Sequence, residues 1–315
     1  MSTFIVGTDL SDNALQAARV AIGCARASDD ADSRVVIARV VGSDDMKMRR
    51  VIANHSEARE RKELRQQVQQ WLSAVDTDQV RCDIEIEVGS PADTLAKMAR
   101  ERDADGLVVG KSGKGRLARF FVGSTTEHLA LKPPCPMAVV HPDGFVPGQQ
   151  LRALSAVDLS RSSVAGVVHA ADLVRRFGGA LSILHVISMP QDISPVIDGP
   201  DTLPETLETH LGEEIGWARQ ELDAMLADAA PDLEDVSPTI DIHPGYPIHE
   251  VLDVLEKRDA NLLTLGSHGR SRFADVMLGS TGRTLLKKAP CTVLLTPPDE
   301  KRSRADGTDG DAEKQ

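Results

Sequence analysis

The sequence is poor in aromatic residues, in positive charge and in long apolar runs. Aromatic side chains make up 3% of the 315 residues, which disfavours a stacking platform for bases or sugars. The 36 Lys and Arg residues are outnumbered by 48 Asp and Glu residues, which argues against general binding to nucleic acid or to an anionic membrane surface. No stretch approaches the roughly 20 apolar residues of a membrane span. The apolar run Phe4–Val6 is too short for a signal peptide.

Cysteine and histidine are also used in ways that exclude familiar frameworks. The four cysteines, Cys24, Cys82, Cys135 and Cys291, lie far apart, and no Cys-x-x-Cys pair occurs. A disulfide framework and a Cys-based zinc site are therefore not expected. The nine histidines are scattered without paired ligand spacing, so we expect no metal site. Together these absences predict a reduced, cytoplasmic protein with no membrane span.

An internal repeat is the most informative feature that is present. Gly-x2-Gly-x9-Gly-Ser-Thr begins at Gly110 and again at Gly266. Two further motifs repeat at the same offset: Gly89-Ser-Pro91 with Gly245-Tyr-Pro247, and Pro134-Cys135 with Pro290-Cys291. A repeat of this length indicates two related domains. We predict domains over 1–146 and 147–298, and from its polar composition a disordered tail over 299–315.

Hydrophobic patterning within each copy predicts alternating strands and helices. Val35–Val41 and Leu107–Val109 are short apolar runs typical of strands, whereas the stretch from Glu57 to Val75 has helical periodicity. Apolar and charged residues alternate from Cys82 to Val88, which predicts an edge strand. The sequence therefore predicts an α/β fold with two tandem doubly wound, Rossmann-like domains. Ligands of such domains bind at the carboxyl ends of the strands.

The glycine motif follows a predicted strand and precedes a predicted helix. Glycine permits close approach of backbone N–H groups, and a helix N-terminus favours anions, so the motif is suited to phosphate. Basic residues surround it: Lys111, Lys114, Arg116 and Arg119 in the first copy, His268, Arg270 and Arg272 in the second. The alternative is structural. The glycines would then only allow tight packing, and Ser124 would only cap a helix, because Ser124 and Glu127 match a capping box.

Taken together, these motifs resemble the universal stress protein family. The resemblance rests on both glycine motifs, on Asp-x-Ser after the first strand of each copy, on Gly-x-Pro and on Pro-Cys. It implies a five-stranded parallel sheet flanked by helices in each domain and association through the last strands. It also implies binding of ATP or AMP, with Mg²⁺ as an optional partner. The two linked copies can form an internal pseudo-dimer, and a homodimer of the whole chain stays open.

The resemblance also implies a set of contact residues in each copy. Asp9 and Val40 would contact the adenosine end in the first copy, as Asp158 and Val186 would in the second. The implied ribose and phosphate contacts are Gly110, Gly113, Gly123 and Ser124 in the first copy, and Gly266, Gly269, Gly279 and Ser280 in the second. The copies differ where Arg39 replaces His185, so equal affinity is not implied.

Three functions are compatible with these patterns. The first is a stress-response protein that binds adenine nucleotide and acts by ligand-dependent conformation or association. The second is a nucleotide-free scaffold, or a carrier of another small ligand on the same fold. The third is a slow ATPase or self-phosphorylating protein. The Ser-Gly-Gly-x-Asp-Ser signature of adenylating enzymes is absent, so we favour a protein that is not an enzyme.

Overall fold

The computed structural model describes residues 2–53, 56–112, 121–189, 205–227, 229–267 and 278–297, so the predicted tail lies outside the described residues. The strands are β1 (Thr3–Gly7), β2 (Arg34–Val41), β3 (Arg81–Val88), β4 (Gly106–Gly110), β5 (Met137–Val140), β6 (Leu151–Val157), β7 (Gly179–Ser188), β8 (Thr239–Gly245), β9 (Leu262–Gly266) and β10 (Thr292–Thr296). The helices are α1 (Asp12–Arg26), α2 (Ser43–Ala53), α3 (Glu57–Leu72), α4 (Pro91–Glu101), α5 (Ser124–Leu131), α6 (Arg161–Phe177), α7 (Glu205–Ala227), α8 (Ala230–Leu233), α9 (Pro247–Lys257) and α10 (Ser280–Lys288). The sequence patterns did not predict α2.

The strands form one ten-stranded sheet in the order β3-β2-β1-β4-β5-β10-β9-β6-β7-β8. Within each half every neighbouring pair is parallel, whereas β5 and β10 pair antiparallel, with Val139 opposite Val293. The predicted α/β class with two tandem doubly wound halves is confirmed. Because the strands of the two halves run in opposite directions, the carboxyl ends of the first-half strands lie on one side of the sheet, and those of the second-half strands lie on the opposite side.

Local sequence explains why these segments take these forms. Ile5 and Leu107 lie in central strands covered on both faces, and both are fully buried, as expected for continuous apolar runs in a parallel sheet. The alternating segment β3 lies at the edge of the sheet, as predicted. Helix α1 begins after Ser11, whose hydroxyl accepts a hydrogen bond from the Ala14 N–H. That bond satisfies one of the unpaired N–H groups of the first turn.

The two faces of the sheet differ at the junction between the halves. On one face, α4, α5, α9 and α10 cover a single apolar core that continues from one half to the other. Lys287 of α10 and Glu127 of α5 form an ion pair of 2.7 Å across this junction. The Lys111 Nζ donates to the Ala289 carbonyl at 3.0 Å. On the opposite face, the helices of the first half and those of the second half cover two separate cores.

The segment that joins the halves packs tightly against both of them. Phe145 is buried, and its ring lies edge-on to Phe177 with centroids 4.9 Å apart. A Cβ placed on Gly23 would lie 2.2 Å from the Pro147 Cγ, so the joining segment crosses α1 at contact distance. The join is therefore part of the apolar packing.

The repeated Pro-Cys motif buries a thiol in each half, at Cys135 and Cys291. Burial disfavours the thiolate and raises the pKa of each thiol from 9.0 to about 12. The folded state thus keeps protons that the unfolded chain loses above pH 9, so stability falls as pH rises from 9 towards 12. We expect a loss of about 1.4 kcal/mol per thiol between pH 8 and pH 10, measured by urea unfolding.

The double variant Cys135→Ala/Cys291→Ala is the control for this prediction. Lys111 contributes in the opposite direction, because burial lowers its pKa; this burial is common to both proteins and cancels, whereas the smaller effect of the Cys291 charge on Lys111 is present only in the parent. The variant should lose less stability than the parent between the two pH values. Equal losses in the two proteins would contradict the assignment to the thiols.

Candidate functional site

Each half places an aspartate in the turn that follows its first strand. One oxygen of Asp9 accepts the Ser11 N–H at 2.9 Å. One oxygen of Asp158 accepts the Ser160 N–H at 3.1 Å and the Ser160 hydroxyl at 2.5 Å. These bonds hold each side chain in a fixed turn, and within the described ranges they engage only one carboxylate oxygen. The other oxygen is available to a ligand hydroxyl or amino group.

A leucine in the left-handed backbone region follows each aspartate. Leu10 has φ 65° and Leu159 has φ 60°. This conformation is uncommon for a residue other than glycine and costs of order 1 kcal/mol. Both halves therefore hold the aspartate turn by the same strained backbone geometry.

The first glycine of each motif allows a helix to pass close to the end of a strand. A Cβ on Gly110 would lie 2.9 Å from the backbone carbon of Asn13 in α1. A Cβ on Gly266 would lie 2.6 Å from the Ser162 Oγ and 2.7 Å from the Ser163 nitrogen in α6. These distances are too short for any side chain, so tight packing is one role of both glycines.

The last glycine and serine of each motif form a helix start. Gly123 and Gly279 are the N-cap residues of α5 and α10, and neither helix has a side-chain cap. The first bond within each helix is donated by Glu127 or Arg283. The three preceding N–H groups of each helix make no hydrogen bond within the described residues, and the helix dipole is positive at this end.

The capping-box interpretation of the first motif is wrong. Ser124 is the first residue inside α5, and the N-cap is Gly123. The Glu127 carboxylate bonds to Lys287 of the other half. The Ser124 and Ser280 hydroxyls have no hydrogen-bond partner among the described residues, so each can bond to a ligand.

In the second half these residues line a cavity of about 610 Å³. Asp158, Val186, Gly266, Gly279 and Ser280 all lie in its wall, which brings together every described member of the predicted set. The volume falls within the roughly 300–1,000 Å³ of small-molecule sites. The second half therefore has room for a nucleotide-sized ligand.

The His185 ring also lines this cavity and is held in one orientation. Its Nδ1 lies 2.7 Å from the Val157 carbonyl oxygen. Because a carbonyl only accepts, Nδ1 carries a proton, and in the neutral ring Nε2 is left as the acceptor. The ring can thus present an acceptor when neutral and a second donor when protonated.

The corresponding cavity of the first half is smaller, at about 250 Å³. The described members of the first predicted set, Asp9, Val40, Gly110, Gly123 and Ser124, lie in its wall. Arg39 occupies the place of the second-half histidine and donates to the Thr8 carbonyl at 3.1 Å. In the second half the shorter His185 side chain stands at this place in the wall of the larger cavity.

Of the loop cations that the sequence offered for phosphate, only Lys111 lies within the described residues. Lys111 is buried, and its ammonium is directed to Ala289 of the second half, so it stabilises the junction. Gly113 and Gly269 lie outside the described residues. The same is true of the remaining loop cations: Lys114, Arg116, Arg119, His268, Arg270 and Arg272.

Sequence reasoning missed the wall that α7 adds to the second cavity. Glu214 and Trp217 line it, and Trp217 is 54% exposed, a large value for a tryptophan. The sequence did contain a signal for this wall: Trp217 is a large apolar residue beside the apolar stripe of its helix, next to the buried Ala218. The shorter α3 adds no residue to the first cavity. Its Trp71 indole N–H instead donates to the Ser11 carbonyl at 3.4 Å.

The sequence also led us to expect no metal site and no membrane span. Among the described residues there is no cluster of three His, Cys, Asp or Glu side chains that could hold a metal ion. No helix in the described part of the chain is long and apolar enough to cross a membrane.

Comparison with known proteins agrees with the arrangement of the two halves. The family model described as Universal stress protein family matches residues 1–141 and again residues 151–297. A curated universal stress protein of Mycolicibacterium smegmatis is 30% identical over 221 residues, 68% of each chain. One of Mycobacterium tuberculosis is 28% identical over 217 residues, 67% of each chain.

Solved structures share the fold over nearly the whole chain. The crystal structure of a universal stress protein from Archaeoglobus fulgidus covers 94% of this chain and 98% of its own, with 18% identity and a TM-score of 0.62. That of a putative universal stress protein from Pseudomonas aeruginosa covers 96% of both chains, with 15% identity and a TM-score of 0.61. At these identities the likeness concerns the fold alone.

Proposed function

The chain belongs to the universal stress protein family, and from this membership we propose that its second half binds an adenine nucleotide, ATP or AMP. We propose further that the protein acts in the stress response, in the cytoplasm, through its ligand-bound conformation or association. The observation that carries the proposal is the 610 Å³ cavity in which Asp158, the Gly279-Ser280 helix start and an apolar wall meet.

The lining residues suit the parts of a nucleotide. The unpaired N–H groups at the start of α10 and the Ser280 hydroxyl would hold phosphate oxygens. The free oxygen of Asp158 would accept a hydrogen bond from a ribose hydroxyl or the adenine amino group. Val186, Val251 and Trp217 give the apolar surface that a base requires. Three or four charge-assisted hydrogen bonds with base burial support a micromolar dissociation constant, about −8 kcal/mol.

Any Mg²⁺ would arrive with the nucleotide. Asp158 and Glu214 are the acidic residues in the described wall, and they do not form a metal cluster with a third ligand among the described residues. The phosphates themselves would supply the remaining oxygens. Mg²⁺ would then offset the repulsion between these carboxylates and the phosphate charge.

Binding without turnover fits the hydroxyl groups of the cavity. Ser280 and Thr281 donate to no carboxylate or imidazole in the described part of the chain, so no described residue is placed to activate either one as a nucleophile. His185 is held by a backbone carbonyl. The slow ATPase hypothesis therefore gains no support from these residues, and ligand binding is the function they favour.

The two tryptophans allow the proposal to be tested separately in each half. In the Trp71→Phe variant, Trp217 is the only remaining indole and lines the second cavity. Titration with Mg-ATP or AMP should change its emission with a micromolar Kd, and calorimetry should give one nucleotide per chain. Nucleotide released by denaturing the purified protein should approach the same ratio.

The matched control is Trp217→Phe, in which Trp71 reports the neighbourhood of Ser11 in the first half. Its emission should change little at the same nucleotide concentrations, because the first cavity holds only about 250 Å³. No heat and no fluorescence response in either variant, together with no released nucleotide, would contradict the proposal. The nucleotide-free scaffold would then be the better hypothesis.

A further inference from the structure

A third cavity lies at the junction of the halves, far from both strand-end sites. It has a volume of about 240 Å³ and lies between α1 and α6, above β4, β5, β9 and β10. On this face the apolar core divides into one cluster for each half, and Ala138 packs against both clusters. The cavity therefore marks the place where the two cores fail to meet.

Two small residues of the sheet, Ala138 and Gly106, lie in the wall of this cavity. Ala138 on β5 pairs with Leu294 on β10, and both line the cavity. Gly106 on β4 lies beside them, and a Cβ there would be 3.0 Å from the Phe4 ring. Phe145, from the segment that joins the halves, also lines the cavity and is itself buried. The walls thus come from both halves and from the join.

The charged groups at the rim are already paired. Arg176 forms an ion pair of 2.8 Å with Asp172 and donates to the Ala27 carbonyl at 3.3 Å. The Asp105 carboxylate accepts the Thr3 N–H at 2.7 Å. Arg176 and Asp172 neutralise each other, whereas Asp105 keeps its negative charge beside a backbone N–H, so these groups offer no binding site for an anion. The pKa of the Cys24 thiol is raised by burial to about 12, so this thiol is neutral.

We propose that this junction cavity binds a small, uncharged, mostly apolar molecule of one or two rings with a single polar group. Its lining is largely apolar: Phe4, Val20, Leu107, Val108, Leu173 and Leu294. The Thr292 hydroxyl lies in the wall and can bond to the polar group of the ligand. An apolar cavity of about 150 Å³ holds benzene, so 240 Å³ accommodates a bicyclic molecule.

Such a ligand would stabilise the junction. It would contact both halves at once, filling the gap between two cores that otherwise do not meet. Binding to the folded state alone raises the melting temperature by mass action. This site is independent of the nucleotide proposal, because its residues do not include those of either strand-end cavity.

Indole is a suitable probe, since it is uncharged, bicyclic and carries one N–H. We expect indole at ten times its Kd to raise the melting temperature of the full chain by about 2–4 °C. In methyl-labelled protein, its addition should shift the resonances of Leu173 and Leu294 and leave those of Val186 and Leu285 unchanged. Shifts confined to the latter pair would mean binding in the nucleotide cavity and would overturn the proposal.

Two variants that fill the cavity from different halves complete the test. Ala138→Leu and Leu173→Phe should each fold, as judged by circular dichroism, and should each abolish the indole-induced rise in melting temperature. If one variant fails to fold, the indole response of the other variant tests the proposal. An unchanged indole response in a folded variant, or no response of the parent protein by either method, would overturn the proposal.

Discussion

Replacing Gly279 by valine is expected to lower nucleotide affinity by at least about 100-fold, or 2.7 kcal/mol, while the fold stays intact. Gly279 lines the 610 Å³ cavity at the start of α10. A Cβ placed there would meet no atom of the described residues within 4 Å, and the residue has φ −61°, which valine adopts readily. The two added methyl groups would therefore project into space that the nucleotide requires.

The measurement is isothermal titration with Mg-ATP beside urea unfolding of the same protein. The free energy of unfolding should change by no more than about 1 kcal/mol, the cost of a poorer N-cap residue. Gly212→Val is the matched control, because Gly212 lies on the exposed side of α7 and no atom of the part of the chain that the structure describes comes within 4 Å of its Cβ position. A Gly279→Val protein that binds nucleotide as tightly as the parent would place the ligand elsewhere.

Replacing Gly266 by valine should have the opposite outcome and destabilise the protein by about 3 kcal/mol or more. The new Cβ would lie 2.7 Å from the Ser163 nitrogen and 3.0 Å from the Ser162 carbonyl carbon. Both are backbone atoms of α6, so the first turn of the helix must move. Moving it would also disturb the Asp158 turn, which immediately precedes the helix.

Urea unfolding of Gly266→Val beside Gly279→Val gives the sharpest comparison. The same substitution is made at two glycines of one motif, and only the first should lower the midpoint substantially. A Gly266→Val protein with the stability of the parent would contradict this prediction, because the first turn of α6 would then move at little cost in free energy. Loss of nucleotide by Gly266→Val would not locate the ligand, because a displaced helix start would also remove it.

Much of the fold could be predicted because it depends on short-range patterns. Continuous apolar runs such as Leu107–Val109 are buried on both faces, and the alternating segment from Cys82 to Val88 forms an edge strand. The predicted contact residues follow strands, and the carboxyl ends of parallel strands within one half meet at one edge. The positions of Asp158 and Gly279 in a common cavity follow from that rule.

The prediction failed where a side chain is used by a distant part of the chain. Lys111 looked like a phosphate ligand because it follows a glycine in a basic loop, yet its ammonium bonds to Ala289, 178 positions away. Glu127 looked like a capping residue, yet it pairs with Lys287. No local spacing encodes these contacts, because they exist only once β5 and β10 have joined the halves.

The sequence by itself determined the duplication, the order of strands and helices, and the end of the strands at which each set of predicted contact residues gathers. These follow from periodicity and from a motif repeated at constant spacing. Only the tertiary structure decided that the two cavities differ in size, that Arg39 lines the smaller one and that α7 adds a wall to the larger one. It also decided that Gly266 serves helix packing and that a gap remains beside Ala138. Each depends on the volumes of side chains that are brought together from distant positions, and sequence spacing carries no information about that fit.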